Sequence, residues 1–236
     1  MLAIFKRELS SYFTSPIGYV FLAVFYFFSG MFFYSVLYSN STDISYVFSG
    51  MFTVLLFVVP LLTMRLMSEE KKQKTDQLLL TSPVSLTGLV LGKFLAAVCM
   101  YAIALSVTVV YSLILAGFAS PEWMVVIGNI FGSLLLGSAL IAIGLFISSM
   151  TENQMIAAVG SFAVMMFILM MDSFVSIIPS GLSFISKILT GLSFMTRYNE
   201  LVTGILNIGT ILFFISVAVV FNFLTVRVLE KRRWGR

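Results

Sequence analysis

Residues 17–38 read IGYVFLAVFYFFSGMFFYSVLY, with no charged side chain among them. A helix of about 20 apolar residues covers the roughly 30 Å hydrocarbon core of a bilayer. Five more predominantly apolar runs follow, at 47–66, 93–116, 124–147, 154–171 and 207–229. In lipid every backbone N–H and C=O needs a partner within the protein, so each run is expected to be a helix. The predicted fold class is all-α polytopic, a single transmembrane domain over residues 1–236 with six transmembrane helices. Composition supports this, since only 10% of residues are charged, against about 25% in soluble domains.

The remaining charges set the expected orientation. With both termini cytoplasmic, the inner segments hold Lys6, Arg7, Arg65, Lys71, Lys72, Lys74, Lys93, Arg227, Lys231, Arg232, Arg233 and Arg236, leaving only Lys187 and Arg197 of the 14 bases outside. The opposite orientation inverts that ratio and violates the positive-inside rule. The net charge of +4 is therefore read as a topology signal, and no nucleic-acid partner is expected.

Before the first run lies MLAIFKRELSSYF. Leu2, Phe5, Leu9, Tyr12 and Phe13 share one face of a helical wheel, with Lys6 and Arg7 elsewhere. Residues 1–15 are expected to be an amphipathic helix lying in the membrane interface. Ser15-Pro16 then turns the chain into the membrane. A full-length span follows the charges, so a cleavable signal peptide is not expected. Short turns are predicted at 39–46, 117–123 and 148–153. Residues 172–206 are longer and semi-apolar, punctuated by Ser, Gly and Pro179. They are expected to form re-entrant or surface helices on the outer side.

Several chemistries are excluded. The chain has no histidine and one cysteine, Cys99, which removes His-based triads, His-ligated zinc and disulfide frameworks. Met155, Met165, Met166, Met170 and Met171 crowd the fifth run. Thioethers can hold Cu(I), but without histidine they read as flexible apolar filler, and no metal site is assigned. Bare-ion pumps carry acids near the midplane. Their absence here points to an apolar or amphipathic cargo. Pro60 interrupts the second run, either as a hinge or as a packed kink. Gly128 and Gly132 form a GxxxG, expected at a close helix contact within the subunit or across a dimer.

The most polar stretch of the chain is MRLMSEEKKQKTDQLLLTSPVSLTGLVLGK, Met64–Lys93. It places Glu69, Glu70, Lys71 and Lys72 beyond the second span, then the apolar triplet Leu78-Leu79-Leu80, then Thr81-Ser82-Pro83-Val84-Ser85. Ser82 with Pro83 suits the start of a short helix. A plain tether between spans has no use for such a triplet, so docking on a partner or on the membrane surface is expected of residues 67–92.

These residues resemble the cytoplasmic loop of permease subunits of type-2 ABC exporters, in particular the gliding-motility-type subgroup. Members of that subgroup read E-E-K-x-x-G-T-x-x-L-L-L-T-x-P-[VI]-S, then G-K a few residues on. The matching residues here are Glu69-Glu70-Lys71, Thr75, Leu78–Thr81, Pro83-Val84-Ser85 and Gly92-Lys93. Lys74 stands where the subgroup has glycine. The opening FKRELSSYFTSPIGYV and the ending FLTVRVLEKRRW are similar to the subgroup's ends, so the resemblance spans the chain.

The resemblance implies a coupling helix that sits in a cleft of a separate ABC ATPase subunit, with ATP and Mg bound there and no cofactor on this chain. Contact would fall on Leu79, Leu80, Thr81, Ser82, Pro83, Val84 and Ser85, with Glu69, Glu70 and Lys71 at the joint. The turn at Thr151, Glu152 and Asn153 would be a second contact. Phe5, Lys6, Arg7 and Leu9 would belong to the interfacial elbow helix. A second permease subunit, identical or related, would complete the pathway in a prokaryotic cell membrane. A companion with a large extracytoplasmic domain would be a further partner.

The chain is not expected to hydrolyse ATP. GLVLGKF at 88–94 has three residues between its glycines where a P-loop has four, and Phe94 replaces Ser/Thr. Two alternatives to cargo export stay open: passing ATP energy to an external partner as mechanical work, and a non-transporting scaffold. An intramembrane enzyme would need a carboxylate pair or a Ser-Lys dyad. Asp172 lacks a second in-membrane acid and Lys187 falls outside, so that reading is set aside.

Overall fold

The computed structural model describes residues 1–74, 85–118, 122–177, 191–204 and 207–234. Among them the chain forms α1 (Leu2–Thr14), α2 (Pro16–Tyr38), α3 (Ser45–Thr63), α4 (Arg65–Lys72), α5 (Leu86–Ala116), α6 (Trp123–Met150), α7 (Gln154–Ile177), α8 (Phe194–Val202) and α9 (Ile208–Trp234). Six stretches are long and apolar enough to cross a membrane, with α3 and α4 forming one of them, Ser45–Lys72. The protein is thus an all-α polytopic membrane protein.

α6 is the central helix. Buried positions fill 67% of its apolar window, against 28% in α2, α7 and α9, so those three present most of their surface to lipid. Small residues let neighbours close in on α6. A Cβ on Gly137 would lie 2.6 Å from Tyr101 Cδ1 of α5, and one on Gly144 would lie 2.9 Å from Thr63 Cβ of α3. A Cβ on Gly132 would lie 2.9 Å from Leu201 Cβ of α8. The GxxxG therefore serves a contact within the subunit.

α8 belongs to the segment expected on the outer side. Its buried residues, Phe194, Tyr198, Leu201 and Val202, form a single stripe. Tyr198 donates to Phe48 O of α3 at 3.1 Å and shares a 2.8 Å bond with Ser133 Oγ of α6. Tyr101 of α5 donates to Ser133 O at 3.1 Å. This chain of hydroxyls satisfies polar groups within the bundle and ties α8 to α3 and α6. Residues 178–190 of the expected re-entrant segment lie outside the described residues.

One helix start differs from the sequence reading. α5 begins at Leu86, not at residue 93, because the Ser85 hydroxyl accepts from Gly88 N at 3.3 Å as an N-cap. Gly92 and Lys93 are therefore inside a helix. The second span runs on to Lys72 with an interruption at Met64. The methionines of α7 divide between its faces: Met165 is buried, while Met155 and Met170 are exposed.

Candidate functional site

The basic end of the bundle carries the densest polar organisation among the described residues. α1 lies across it. Tyr12 is buried, Ile4, Phe5, Glu8, Leu9 and Ser11 are half-buried, and Leu2, Lys6, Arg7 and Phe13 are exposed. Glycine lets α1 dock closely: a Cβ on Gly92 of α5 would sit 3.1 Å from Ile4 Cγ2. The Tyr12 hydroxyl donates to Leu62 O at 3.0 Å. Burial pushes the Tyr12 hydroxyl's pKa well up, with Glu8 adding to the rise, so it remains a donor.

Four charges from three elements meet here. Lys93, 1% exposed, lies 3.0 Å from Glu8 of α1 and 3.0 Å from Glu70 of α4. It also donates to Leu66 O at 2.7 Å. Arg7 pairs with Glu8 at 2.7 Å and with Glu70. Burial alone would raise the Glu8 carboxyl pKa, but Lys93 and Arg7 outweigh it and hold it below the usual carboxylate value. Arg65 reaches Ser11 and Ser15 of α1 and pairs with Glu69 at 3.4 Å. The elbow helix is thereby clamped to the foot of the second span.

The foot itself is jointed. Met67 N and Ser68 N each donate to Ser148 Oγ of α6 at 3.2 Å, and the Ser148 hydroxyl donates to Met64 O at 2.9 Å. Met64, the boundary between α3 and α4, keeps helical dihedrals (φ −54°, ψ −35°). It falls one turn after Pro60, through which α3 continues, with Met64 N still bonded to Pro60 O at 2.9 Å. Lys71, 5% exposed, donates to Ser149 O. α4 is therefore fastened at both ends to the last turn of α6.

α6 ends at Met150, and a tight turn follows. Thr151 Oγ1 accepts from Asn153 N at 3.2 Å, and Asn153 Oδ1 accepts from Met155 N at 2.9 Å. These bonds start α7 and leave Glu152 exposed. The two segments expected to meet a partner are thus neighbours, joined through Ser148 and Ser149.

The sequence-predicted residues distribute as follows. Glu70 and Lys71 turn into the subunit, Glu69 is half-exposed beside Arg65, and Lys6 and Arg7 sit on the outer side of α1. Ser85 caps α5. Leu79, Leu80, Thr81, Ser82, Pro83 and Val84 lie outside the described residues. Lys74 has a φ of +57°, the left-handed region, at the αL position beyond the end of α4 where glycine is favoured. Residues 88–94 are helical, so the glycines there form no phosphate-cradling loop. Sequence reasoning missed Glu8 and Ser148, placed Ser149 only in the Ser149–Asn153 contact turn, and gave Lys93 no partner. A lysine at the edge of an apolar run was the available signal, since such a charge needs a partner. Ser148 gave none.

The class this arrangement defines is a polytopic membrane subunit with a braced, jointed element projecting from one end. The family described as ABC-2 family transporter protein matches residues 2–234, and the chain belongs to it. It is a permease subunit of an ABC transporter, a membrane transport component. No curated protein matches the chain.

Proposed function

We propose that α4 and the loop beyond it receive the movement of a separate ATP-hydrolysing subunit and carry it into the bilayer to export an apolar or amphipathic cargo. The observation that supports this best is the Ser148 hydroxyl at the boundary between α3 and α4. It ties Met67 N, Ser68 N and Met64 O to the last turn of α6, so a movement of α4 is passed directly to a spanning helix. α4, about 12 Å long at 1.5 Å per residue, is the lever and Met64 its fulcrum.

On this reading Leu79, Leu80, Thr81, Ser82, Pro83, Val84 and Ser85 contact the ATPase, and Thr151, Glu152 and Asn153 form the second contact. Glu69, Glu70 and Lys71 hold the lever to α1, α5 and α6. ATP and Mg belong to the partner. Two permease chains enclose the pathway, the basic end faces the cytoplasm of a prokaryotic cell, and a companion with an extracytoplasmic domain joins outside. We retain the gliding-motility-type subgroup as the specific assignment, and the left-handed Lys74 in the subgroup's glycine position supports it.

The test is co-purification from native membranes in mild detergent, with Leu79→Asp, Val84→Asp and Ser148→Ala in parallel. An ATPase subunit is expected with the wild type, lost from the two Asp variants, and retained by Ser148→Ala with its ATPase activity no longer responsive to the permease. If no ATPase accompanies the wild type, the proposal fails.

A further inference from the structure

Between the basic ends of α5 and α9 lies a cleft of about 360 Å³. Val90 and Phe94 on one side and Val219 and Phe223 on the other make its walls apolar. Its mouth is different. Thr87 of α5 and Arg227 and Glu230 of α9 line it, and Arg227 Nη1 lies 2.7 Å from Glu230 Oε2. The guanidinium also lies 4.8 Å from the centre of the Phe223 ring. Asn222 lines the cleft deeper in and is 7% exposed. It donates to Ala218 O at 2.8 Å, while its Oδ1 has no partner among the described residues.

We propose that this cleft binds a membrane phospholipid with a phosphoethanolamine head group. It lies between two spanning helices, so hydrocarbon is the first candidate for its apolar part. An occupant that is apolar throughout, such as a helix face of a second copy, would leave the second Nδ2–H of Asn222 facing hydrocarbon, which is costly, whereas a lipid ester carbonyl can accept it. Asn222 precedes Arg227 by five residues, about 7.5 Å along the axis. A phospholipid carries its ester groups at such a depth below its phosphate. The amide has a second N–H to offer an ester carbonyl.

The mouth selects the head group. Its lining holds one base and one acid side by side. A guanidinium has five donors in a planar fork, so Arg227 can hold Glu230 along one edge and a phosphate along another, with Thr87 adding a hydroxyl. The first turn of α5 presents the positive end of that helix to the same place. Glu230 then accepts from a primary ammonium. A head group with phosphate alone would meet the Glu230 carboxylate unfavourably, and a quaternary ammonium has no N–H to give it.

The inference rests on the six spans and on this cleft. It does not depend on the partner ATPase, so either proposal can fail alone. The full-length chain is purified in mild detergent and titrated with phosphatidylethanolamine, phosphatidylglycerol and phosphatidylcholine of identical acyl chains, reading retained lipid by native mass spectrometry. The wild type is expected to retain phosphatidylethanolamine about tenfold better than the others, the worth of one charge-assisted contact. Arg227→Gln removes the preference, Glu230→Gln shifts it toward phosphatidylglycerol, and Val219→Trp abolishes retention. Both mouth side chains are at least 36% exposed, so the Gln variants fold, and helical circular dichroism checks all three. Equal retention of the three lipids by the wild type, or an unchanged preference in Glu230→Gln, overturns the proposal. So does a disulfide between two copies of Val219→Cys in a Cys99→Ser background, which would make the cleft a subunit interface.

Discussion

Replacing Lys93 by methionine keeps the length of the side chain and deletes its ammonium. Three interactions disappear: those with Glu8 and Glu70, each at 3.0 Å, and the 2.7 Å bond to Leu66 O. Lys93 is 1% exposed, and the carboxylate side chains are 12% and 15% exposed. Breaking a buried ion pair by removing one partner costs about 3–5 kcal/mol, because the remaining charge stays desolvated. Arg7 still faces both carboxylates, but its own side chain is 52% exposed and its field is screened. The low end of the range applies, about 3 kcal/mol. For a chain of this size that lowers Tm by about 6–12 °C. The assay is a thermal melt in mild detergent, followed by circular dichroism. Glu8→Gln combined with Lys93→Met is expected to cost less than the sum of the single changes, because one unpaired charge is removed with its partner. A Lys93→Met protein that melts with the wild type, or strictly additive costs, would refute the clamp.

Four further outcomes follow. Lys74→Gly relieves a left-handed backbone (φ +57°) and is expected to stabilise the end of α4 by about 1 kcal/mol, read as a Tm about 2–4 °C higher; an unchanged or lower Tm would contradict this. Gly144→Ala drives a methyl to 2.9 Å from Thr63 Cβ and should cost about 1–3 kcal/mol by overpacking. Gly30→Ala, whose Cβ meets only the Tyr111 hydroxyl at 3.5 Å, is expected to be neutral or stabilising in the same melts. The Glu8 carboxyl sits below its ordinary 4.5. A lowered carboxylate pKa stabilises the folded state above the ordinary value, and that stability drains away as pH falls through the folded value. Tm should therefore fall more steeply with acidification below about pH 4.5 in the wild type than in Glu8→Gln, with parallel curves as the refuting result.

The number and length of the spans were legible in the sequence because transfer into lipid is a sum of local terms. Twenty consecutive apolar residues reach the same total wherever neighbouring helices stand. The orientation expected from the bases rests on the same kind of count. The polar stretch Glu69 to Ser85 stands out because it interrupts the apolar pattern, and its order of residues resembles one subgroup of permeases. Family membership over residues 2–234 agrees with that broader resemblance.

Other features needed the third dimension. Glu8 and Lys93 are separated by 85 residues, and Ser148 and Met67 by 81. Nothing in the vicinity of either serine or acid marks it as a partner. Gly132 and Gly144 look alike as small residues in an apolar run, yet one admits α8 and the other admits the jointed foot of the second span. The polar rhythm of 172–206 suggested re-entrant or surface helices, but not that Tyr198 of α8 would find its hydrogen bonds on α3 and α6. The sequence by itself determined that this chain has six stretches able to cross a membrane and a polar segment between two of them. Only the tertiary structure decided what holds the residues of α4 in place, because desolvated charges and hydroxyls are satisfied by whichever distant groups the packing brings within hydrogen-bond reach.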